Sequence, residues 1–336
     1  MRKFGMTAIL VASQLISDPA ASSAGAIENG RVNRPAVDAQ SRSMPLLDTF
    51  STIGDILDHP AFTGFARLIL PWDGRTYDRT VRLTEIGELL PYHSLVDAET
   101  IVGSLNRLVE DASNGQTVFY DIYDDASKGA DPTKRNTGLF FVRGRPGAPF
   151  AIIAPGGGFA YVGSVHEGYP YATAISDEGY NAFVLRYRAG MGGRVATEDL
   201  ATAIDFVFAH AQELGVDTKG YSLWGSSAGA RMVASIGSHG VAAFSGRVLP
   251  KPEAVIMAYT SHEDHSDDEP RTFVVVGGQD SIAPSERMET RVKALRSRGT
   301  QVEFRVFPGL PHGFGVGTRT VADGWVSDAV EFWARR

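Results

Sequence analysis

A serine between two glycines is the first group of residues in this sequence whose types and spacing could do chemistry. Residues 225–229 read Gly-Ser-Ser-Ala-Gly, with Ser227 at the centre. A serine held at a tight turn between a strand and a helix can act as a nucleophile, because the turn exposes its hydroxyl and the glycines leave room for the adjoining backbone. The motif alone is weak, since about 0.3 matches are expected by chance in so glycine-rich a chain.

The residues on either side strengthen this interpretation. Residues 221–224 (Tyr-Ser-Leu-Trp) are typical of a strand, and residues 228–234 (Ala-Gly-Ala-Arg-Met-Val-Ala) are typical of a helix. Ser227 would then be the exposed residue, and Ser226 a bystander or a polar contact. The alternative is an ordinary strand-to-helix turn built from small residues.

A nucleophilic serine needs a base and an acid, and chain order selects His312 and Asp280. His312 follows the last predicted strand, in a loop of Gly and Pro that can hold an imidazole at the carboxyl edge of a sheet. Asp280 leaves the predicted strand 273–276 after two glycines; its alternative role is that of a turn residue. The other seven histidines lie inside a helix or too early in the chain for the order Ser, acid, His.

The oxyanion formed by serine attack needs backbone N–H donors, and a glycine run supplies candidates. Residues 155–159 (Pro-Gly-Gly-Gly-Phe) follow a predicted strand. We predict that Gly157 and Gly158 donate from this run and that Ala228, after the nucleophile, donates as well. A plain tight turn is one alternative; a phosphate-binding loop is another, although the run lacks the spacing of such loops.

An acidic run offers a competing kind of site. Glu263, Asp264 and residues 267–269, with His262 and His265, could be imagined as metal ligands. No helix or strand is predicted there to fix them, so we predict a solvated loop and no metal site.

Short apolar runs alternate with amphipathic windows from residue 117 onward, which predicts an α/β protein with a mostly parallel sheet flanked by helices. The predicted helices cover residues 169–178, 197–214, 228–236, 284–298 and 325–334. The eight predicted strands cover residues 117–123, 139–143, 150–154, 182–187, 221–224, 254–259, 273–276 and 302–307. Residues 27–115 show no sustained period and are predicted to be an accessory or cap segment of short helices and loops.

Composition limits the remaining choices. The chain has 336 residues, 43% of them hydrophobic, a net charge of −7 and no cysteine. Scattered basic residues argue against a nucleic-acid partner, and the missing cysteines exclude a thiol nucleophile. Residues 1–26 have the order of a secretory signal, so we expect export to the periplasm or outside the cell, and no later stretch is apolar enough to span a membrane. Residues 116–336 are then predicted to be the catalytic domain.

Taken together, these motifs resemble the esterase and lipase branch of the α/β-hydrolase superfamily, especially bacterial acetyl-esterase and xylan-esterase-like members. The matching stretches are residues 154–159, 179–187, 223–229, 277–280 and 311–314. The resemblance implies an α/β-hydrolase fold with an eight-stranded sheet, a Ser-Asp-His mechanism through an acyl-enzyme, and no cofactor. Related lipases often have His where this chain has Pro155, which is similar to the acetyl-esterase variant.

We therefore predict a serine hydrolase that cleaves carboxylic esters of small molecules or carbohydrates, including short acyl groups on sugars. Tyr161, His166, Glu167 and the accessory segment are candidates to line its pocket. The alternatives are a serine peptidase, for which Glu167 is the candidate to bind the peptide amine, and a non-catalytic binding protein on the same scaffold. The sequence leaves the oligomeric state open.

Overall fold

Helices and strands alternate along most of the chain in the computed structural model, which describes residues 44–245 and 247–335. The strands are β1 (Phe119–Tyr120), β2 (Gly138–Val142), β3 (Pro149–Ala154), β4 (Asn181–Arg186), β5 (Asp217–Ser226), β6 (Ala254–Ala258), β7 (Arg271–Gly277) and β8 (Val302–Phe307). The helices are α1 (Ile53–Asp58), α2 (Ala66–Ile69), α3 (Ala98–Ser113), α4 (Asp125–Ala130), α5 (Tyr169–Asp177), α6 (Gly192–Ala209), α7 (Ala211–Leu214), α8 (Ala228–His239), α9 (Ala242–Ser245), α10 (Ser285–Ser297) and α11 (Trp325–Ala334).

The eight strands form one sheet in the order β1-β2-β4-β3-β5-β6-β7-β8. The pairs β1–β2 and β2–β4 are antiparallel, and the other five pairs are parallel. The predicted fold class, a mostly parallel eight-stranded sheet flanked by helices, is confirmed. The carboxyl ends of β3, β5 and β7 therefore share one edge, where the loops that bear the candidate site residues emerge.

Two hydrophobic cores cover the two faces of the sheet. Alternating residues of one strand belong to opposite cores, as Phe140 and Phe141 of β2 do. One core includes α5, α11 and much of the segment before β1, and the other includes α6, α8 and part of α10. Burial on both faces explains why the central strands appear in the sequence as continuous apolar runs.

The segment before β1 differs from its prediction in one respect. Its longest element is α3, a 16-residue helix whose buried side chains include Ile101, Leu105 and Leu108. These positions repeat at the helical period, so the prediction that this segment lacks a sustained period is wrong. The segment packs into the same core as the sheet, and the predicted boundary between accessory and catalytic parts stays a prediction.

Other predictions differ from the structure in detail or fall outside it. The strand predicted at 117–123 is reduced to the two residues of β1, and the helix predicted at 197–214 is divided into α6 and α7. The predicted signal segment, residues 1–26, lies outside the described residues. Within the described residues, no helix has the length and apolar character needed to cross a membrane.

Candidate active site

Ser227, His312 and Asp280 lie in one chain of hydrogen bonds at the carboxyl edge of the sheet. The Ser227 Oγ is 2.9 Å from His312 Nε2, and His312 Nδ1 is 2.8 Å from an Asp280 carboxylate oxygen. The other oxygen of Asp280 accepts the backbone N–H groups of Ile282 and Ala283, at 2.9 and 2.7 Å. This arrangement fixes the imidazole with one nitrogen toward the serine and the other toward a buried carboxylate.

Ser227 adopts a backbone conformation that side chains rarely occupy. It sits between β5 and α8 with φ 49° and ψ −112°, and its N–H donates to the carbonyl of Ala258 on β6. Phe159 and Tyr259, with φ 61° and 37°, also have positive φ and also border Ser227's cavity. Strained backbone of this kind costs free energy and is concentrated at functional sites.

The glycines of the motif are required by close backbone approach. A Cβ at Gly229 would lie 1.8 Å from the carbonyl oxygen of Ala154, the last residue of β3, and one at Gly225 would lie 2.5 Å from Gly229 backbone atoms. Neither obstacle is a flexible side chain, so the backbone would have to move. The first turn of α8 therefore packs directly on the end of β3.

We expect Gly229→Ala to lower the thermal midpoint by about 10 °C or to prevent soluble expression, because it forces β3 and α8 apart. Gly103→Ala is the matched control: Gly103 lies in the middle of α3 and nothing is within 4 Å of its Cβ position. That change should be neutral or slightly stabilising, since alanine favours the helix. Differential scanning fluorimetry of both variants tests the pair, and an unchanged midpoint for Gly229→Ala would contradict the packing.

The glycine run lies beside the serine, as the predicted oxyanion hole requires. Gly158 and Ala228 both line the cavity of Ser227, whereas Gly157 is not among its lining residues. Gly157 and Gly158 have φ of 128° and 61°, a region open to glycine. Within the described chain, the N–H groups of these three residues donate to no carbonyl or side chain, which leaves them available to an incoming oxygen.

A buried carboxylate, that of Glu167, accepts a hydrogen bond from the glycine run. Its side chain is 0% exposed; one oxygen accepts the N–H of Gly156 at 2.5 Å. The other oxygen accepts the Tyr259 hydroxyl at 2.6 Å and lies 2.9 Å from Nε2 of His93. Burial by itself would raise the pKa of Glu167, but the charge and hydrogen bond of His93 and the bond from Tyr259 outweigh it and hold the pKa at about 2. Glu167 is therefore an anion at neutral pH.

Glu167 connects the two loops that flank the serine. A Cβ at Gly156 would lie 2.9 Å from the Glu167 carboxylate and 3.0 Å from Ser227 Cβ, so this backbone is wedged between them. The Tyr259 ring packs edge-on against the His312 ring, with centroids 5.1 Å apart. The Glu167 side chain thus holds the glycine run and also Tyr259, the residue that packs against His312. The sequence analysis did not predict this role.

Residues 92–94 of the segment before β1 contact the loop after β3 and the loop that bears His312. The Tyr161 hydroxyl accepts the N–H of Tyr92 at 3.0 Å and is 2.8 Å from Nδ1 of His93. Ser94 donates two hydrogen bonds to the histidine loop: its hydroxyl donates to the carbonyl of His312 at 2.5 Å, and its N–H donates to the carbonyl of Gly313 at 3.0 Å. The segment thus connects the loop after β3 with the loop that bears His312.

His166 is a third buried imidazole in this region. It lies one residue before Glu167 in a π-helical turn, Ser164–Gly168, and its Nε2 is 3.0 Å from the carbonyl of Gly313. Burial lowers the pKa of His166 to about 4, and the neighbouring His93 acts in the same direction. At neutral pH it is therefore uncharged and can donate from Nε2 to that carbonyl.

The cavity beside Ser227 has a volume of about 550 Å³. Tyr161, His166 and Glu167 do not line it, so the expectation that these residues form the pocket is wrong. His166 and Glu167 are buried in the π-helical turn that precedes α5, and Tyr161 is buried just before that turn. The cavity wall instead comes from the loops after β3, β5, β6, β7 and β8 and from the starts of α8 and α10.

The acidic run after β6 is a loop, but it is only partly solvated. Glu269 is buried and forms a 3.1 Å ion pair with the buried Arg291 of α10, which corrects the prediction for this residue. Asp264 is exposed and pairs with His239. Over residues 44–245 and 247–335, no group of three or more His, Asp or Glu is arranged to hold a metal ion.

One family model and two curated relatives resemble part of this chain. The BD-FAE family model matches residues 143–256, a range that contains the glycine run and Ser227. Endo-1,4-beta-xylanase B of Butyrivibrio fibrisolvens is 27% identical over 218 residues, which cover 52% of this chain and 34% of that protein. Acetylxylan esterase of Xylanibacter ruminicola is 22% identical over 208 residues, which cover 53% of this chain and 43% of that protein. The chain thus spans less than half the length of these two relatives.

A solved structure supports the same relationship at the level of the fold. The acetyl ester-xyloside bifunctional hydrolase from Caldicellulosiruptor lactoaceticus superimposes with a TM-score of 0.56 at 21% identity, covering 64% of this chain and 95% of the other. Its chain is matched almost completely, while part of the present chain lies outside the match. The chain therefore has the α/β-hydrolase fold, and the proteins that it resembles include esterases.

Proposed function

We propose that this protein hydrolyses carboxylic esters, with Ser227 as nucleophile, His312 as base and Asp280 as the residue that orients the base. The observation that carries the proposal is the unbroken chain of hydrogen bonds from Ser227 through His312 to Asp280, at 2.9 and 2.8 Å, in the wall of an open cavity. A serine hydroxyl is a weak nucleophile unless a base can take its proton.

In the proposed reaction, His312 accepts the proton of Ser227 while Oγ bonds to the ester carbonyl carbon. The carbonyl oxygen becomes negative and is stabilised by the N–H groups of Ala228, Gly158 and Gly157. Collapse of this intermediate breaks the bond to the alcohol oxygen, which takes the proton from His312. Water then repeats both steps on the acyl-serine and releases the acid.

The names of the relatives support a proposed substrate class. The names of the two curated relatives and of the solved structure refer to xylan, xyloside and acetyl esters. A cavity of about 550 Å³ can hold a sugar unit, since ligand sites usually measure about 300–1,000 Å³. We therefore propose short acyl groups on a carbohydrate as the preferred ester, and export from the cell as the location.

The two rival functions have less support. A serine peptidase would need a group to bind the peptide amine, and the candidate, Glu167, is fully buried and bonded to Gly156, Tyr259 and His93. An inactive binding protein on this scaffold would have no need to keep the strained backbone at Ser227, which costs free energy.

A fluorophosphonate probe together with a panel of substrates tests the proposal. We expect the probe to label Ser227 with a stoichiometry near one and to abolish turnover of 4-nitrophenyl acetate. Acetylated xylose should be deacetylated faster than its octanoyl counterpart, and peptide 4-nitroanilides should not be cleaved. A folded protein that neither reacts with the probe nor accelerates ester hydrolysis would overturn the proposal.

A further inference from the structure

The cavity beside Ser227 carries a positive charge that the ester chemistry does not require. Of its fourteen lining residues two are arginines, Arg231 and Arg287, and none is an aspartate or glutamate. Arg231 lies in the first turn of α8, directly after the serine, and Arg287 lies near the start of α10. The chain as a whole has a net charge of −7, so the charge of this cavity is opposite in sign to that of the whole chain.

Neither arginine has a side-chain partner among residues 44–245 and 247–335. Within the described chain, neither guanidinium has an ion-pair partner or a side-chain hydrogen bond. Two other arginines nearby differ: Arg194, which lines an adjoining cavity together with Arg231, pairs with Glu198, and Arg291 pairs with Glu269. The two guanidinium groups at the cavity are therefore available to a ligand.

Unpaired hydroxyl groups lie at the same wall. Thr260 and Ser261 follow β6 and both line the cavity, and neither hydroxyl has a hydrogen-bond partner in the described part of the chain. Thr260 is only 2% exposed. A buried hydroxyl without a partner is costly to fold, and beside an open cavity it calls for a partner such as a bound water, an ion or a ligand.

We propose that Arg231 and Arg287, with Thr260 and Ser261, form a subsite for a carboxylate on the substrate, so that this protein prefers esters of acidic molecules such as uronic acids. The inference rests on the proposed ester hydrolysis and specifies its substrate class. A guanidinium presents a planar pair of donors that matches a carboxylate, and the hydroxyl groups supply further donors. Because the subsite and Ser227 share one cavity, the carboxylate and the scissile ester belong to one molecule.

The carboxylate can lie on the alcohol side or on the acyl side of the ester, and two substrate pairs distinguish these positions. The first pair is 4-acetoxybenzoate and 4-acetoxybenzamide, which differ only on the leaving group. The second is mono-4-nitrophenyl glutarate and the corresponding amide, which differ only on the acyl group. The readout is kcat/KM of the anion divided by kcat/KM of the amide, corrected for the uncatalysed rates.

In one of the two pairs we expect the anion to be favoured about tenfold, and this ratio to fall several-fold between 20 and 500 mM NaCl. Arg231→Gln and Arg287→Gln should each reduce the ratio about three- to tenfold. Arg135→Gln is the control, because it removes the same charge at a position that is exposed and does not line the cavity. It should leave the ratio within about twofold.

A second measurement does not depend on turnover. The Ser227→Ala variant should bind 4-acetoxybenzoate in a calorimeter more tightly than 4-acetoxybenzamide if the carboxylate lies on the alcohol side, and the glutarate pair gives the corresponding test for the acyl side. Equal ratios and equal affinities for anion and amide in both pairs would overturn this inference while leaving ester hydrolysis intact. Absence of any hydrolysis, with anions still preferred in binding, would instead overturn the proposed function alone.

Discussion

Ser227→Ala should lower kcat for 4-nitrophenyl acetate by at least about 10⁴-fold while the protein stays folded. The change removes the Oγ that bonds to His312 at 2.9 Å, and no other hydroxyl stands at that position. The backbone strain at φ 49° remains, but alanine is no bulkier than serine, so the structure has no new clash to accommodate. Steady-state kinetics and a circular dichroism spectrum check both parts of the expectation.

Ser226→Ala is the matched control for that experiment. Ser226 is the adjacent residue, it is fully buried, and its hydroxyl donates to Tyr171 at 3.2 Å rather than to His312. We expect its kcat to stay within about tenfold of the wild type, because only a peripheral hydrogen bond is lost. Equal losses in the two variants would mean that Ser227 acts through the packing of this turn and not as a nucleophile.

Glu167→Gln should lower kcat by about 10²-fold or more with a smaller change in KM. The amide keeps the size of the carboxylate, but its NH₂ group must face a donor, either the Tyr259 hydroxyl, the N–H of Gly156 or Nε2 of His93. That conflict displaces the glycine run or the ring against His312. Since misplaced oxyanion donors weaken binding of the transition state more than of the substrate, the effect should appear in kcat.

Tyr171→Phe separates this effect from a general loss of packing. Tyr171 is buried in the same network and its hydroxyl is 3.0 Å from that of Tyr259, but it has no hydrogen bond to the glycine run. Its kcat should fall much less than that of Glu167→Gln at a temperature well below both thermal midpoints. Fluorophosphonate labelling should slow in parallel with kcat in Glu167→Gln. A stable Glu167→Gln variant with kcat within a few-fold of the wild type would contradict the positioning role.

The sheet could be predicted from the sequence because its signal is local. Strands such as β3 and β7 are buried on both faces, and their apolar runs end at glycines that mark the carboxyl edge. The positions of Ser227, Asp280 and His312 follow from the same pattern, since each comes directly after a strand or before the last helix. Helix α3 had an equally local signal in Ile101, Leu105 and Leu108, but the surrounding Gly and Pro residues obscured it.

The support behind the site could not be predicted in this way. His93 and Glu167 are 74 positions apart and meet only because the first segment of the chain folds onto the sheet. No periodicity or motif connects them. The available signal was chemical: Glu167 is a carboxylate in an otherwise apolar stretch just before α5, and a buried charge of that kind needs partners. Such a residue indicates a network, although the sequence does not name the other members.

The contact between Ser94 and His312 also has a consequence for the order in which the protein matures. These residues are 218 positions apart, so during synthesis the bracing segment emerges long before the loop that it supports. Because a domain generally folds as a unit, residues 92–94 lack this loop as a partner until almost the whole chain has been made. Catalytic competence would arise in a single late step, so prematurely terminated chains should lack partial activity rather than carry a fraction of it.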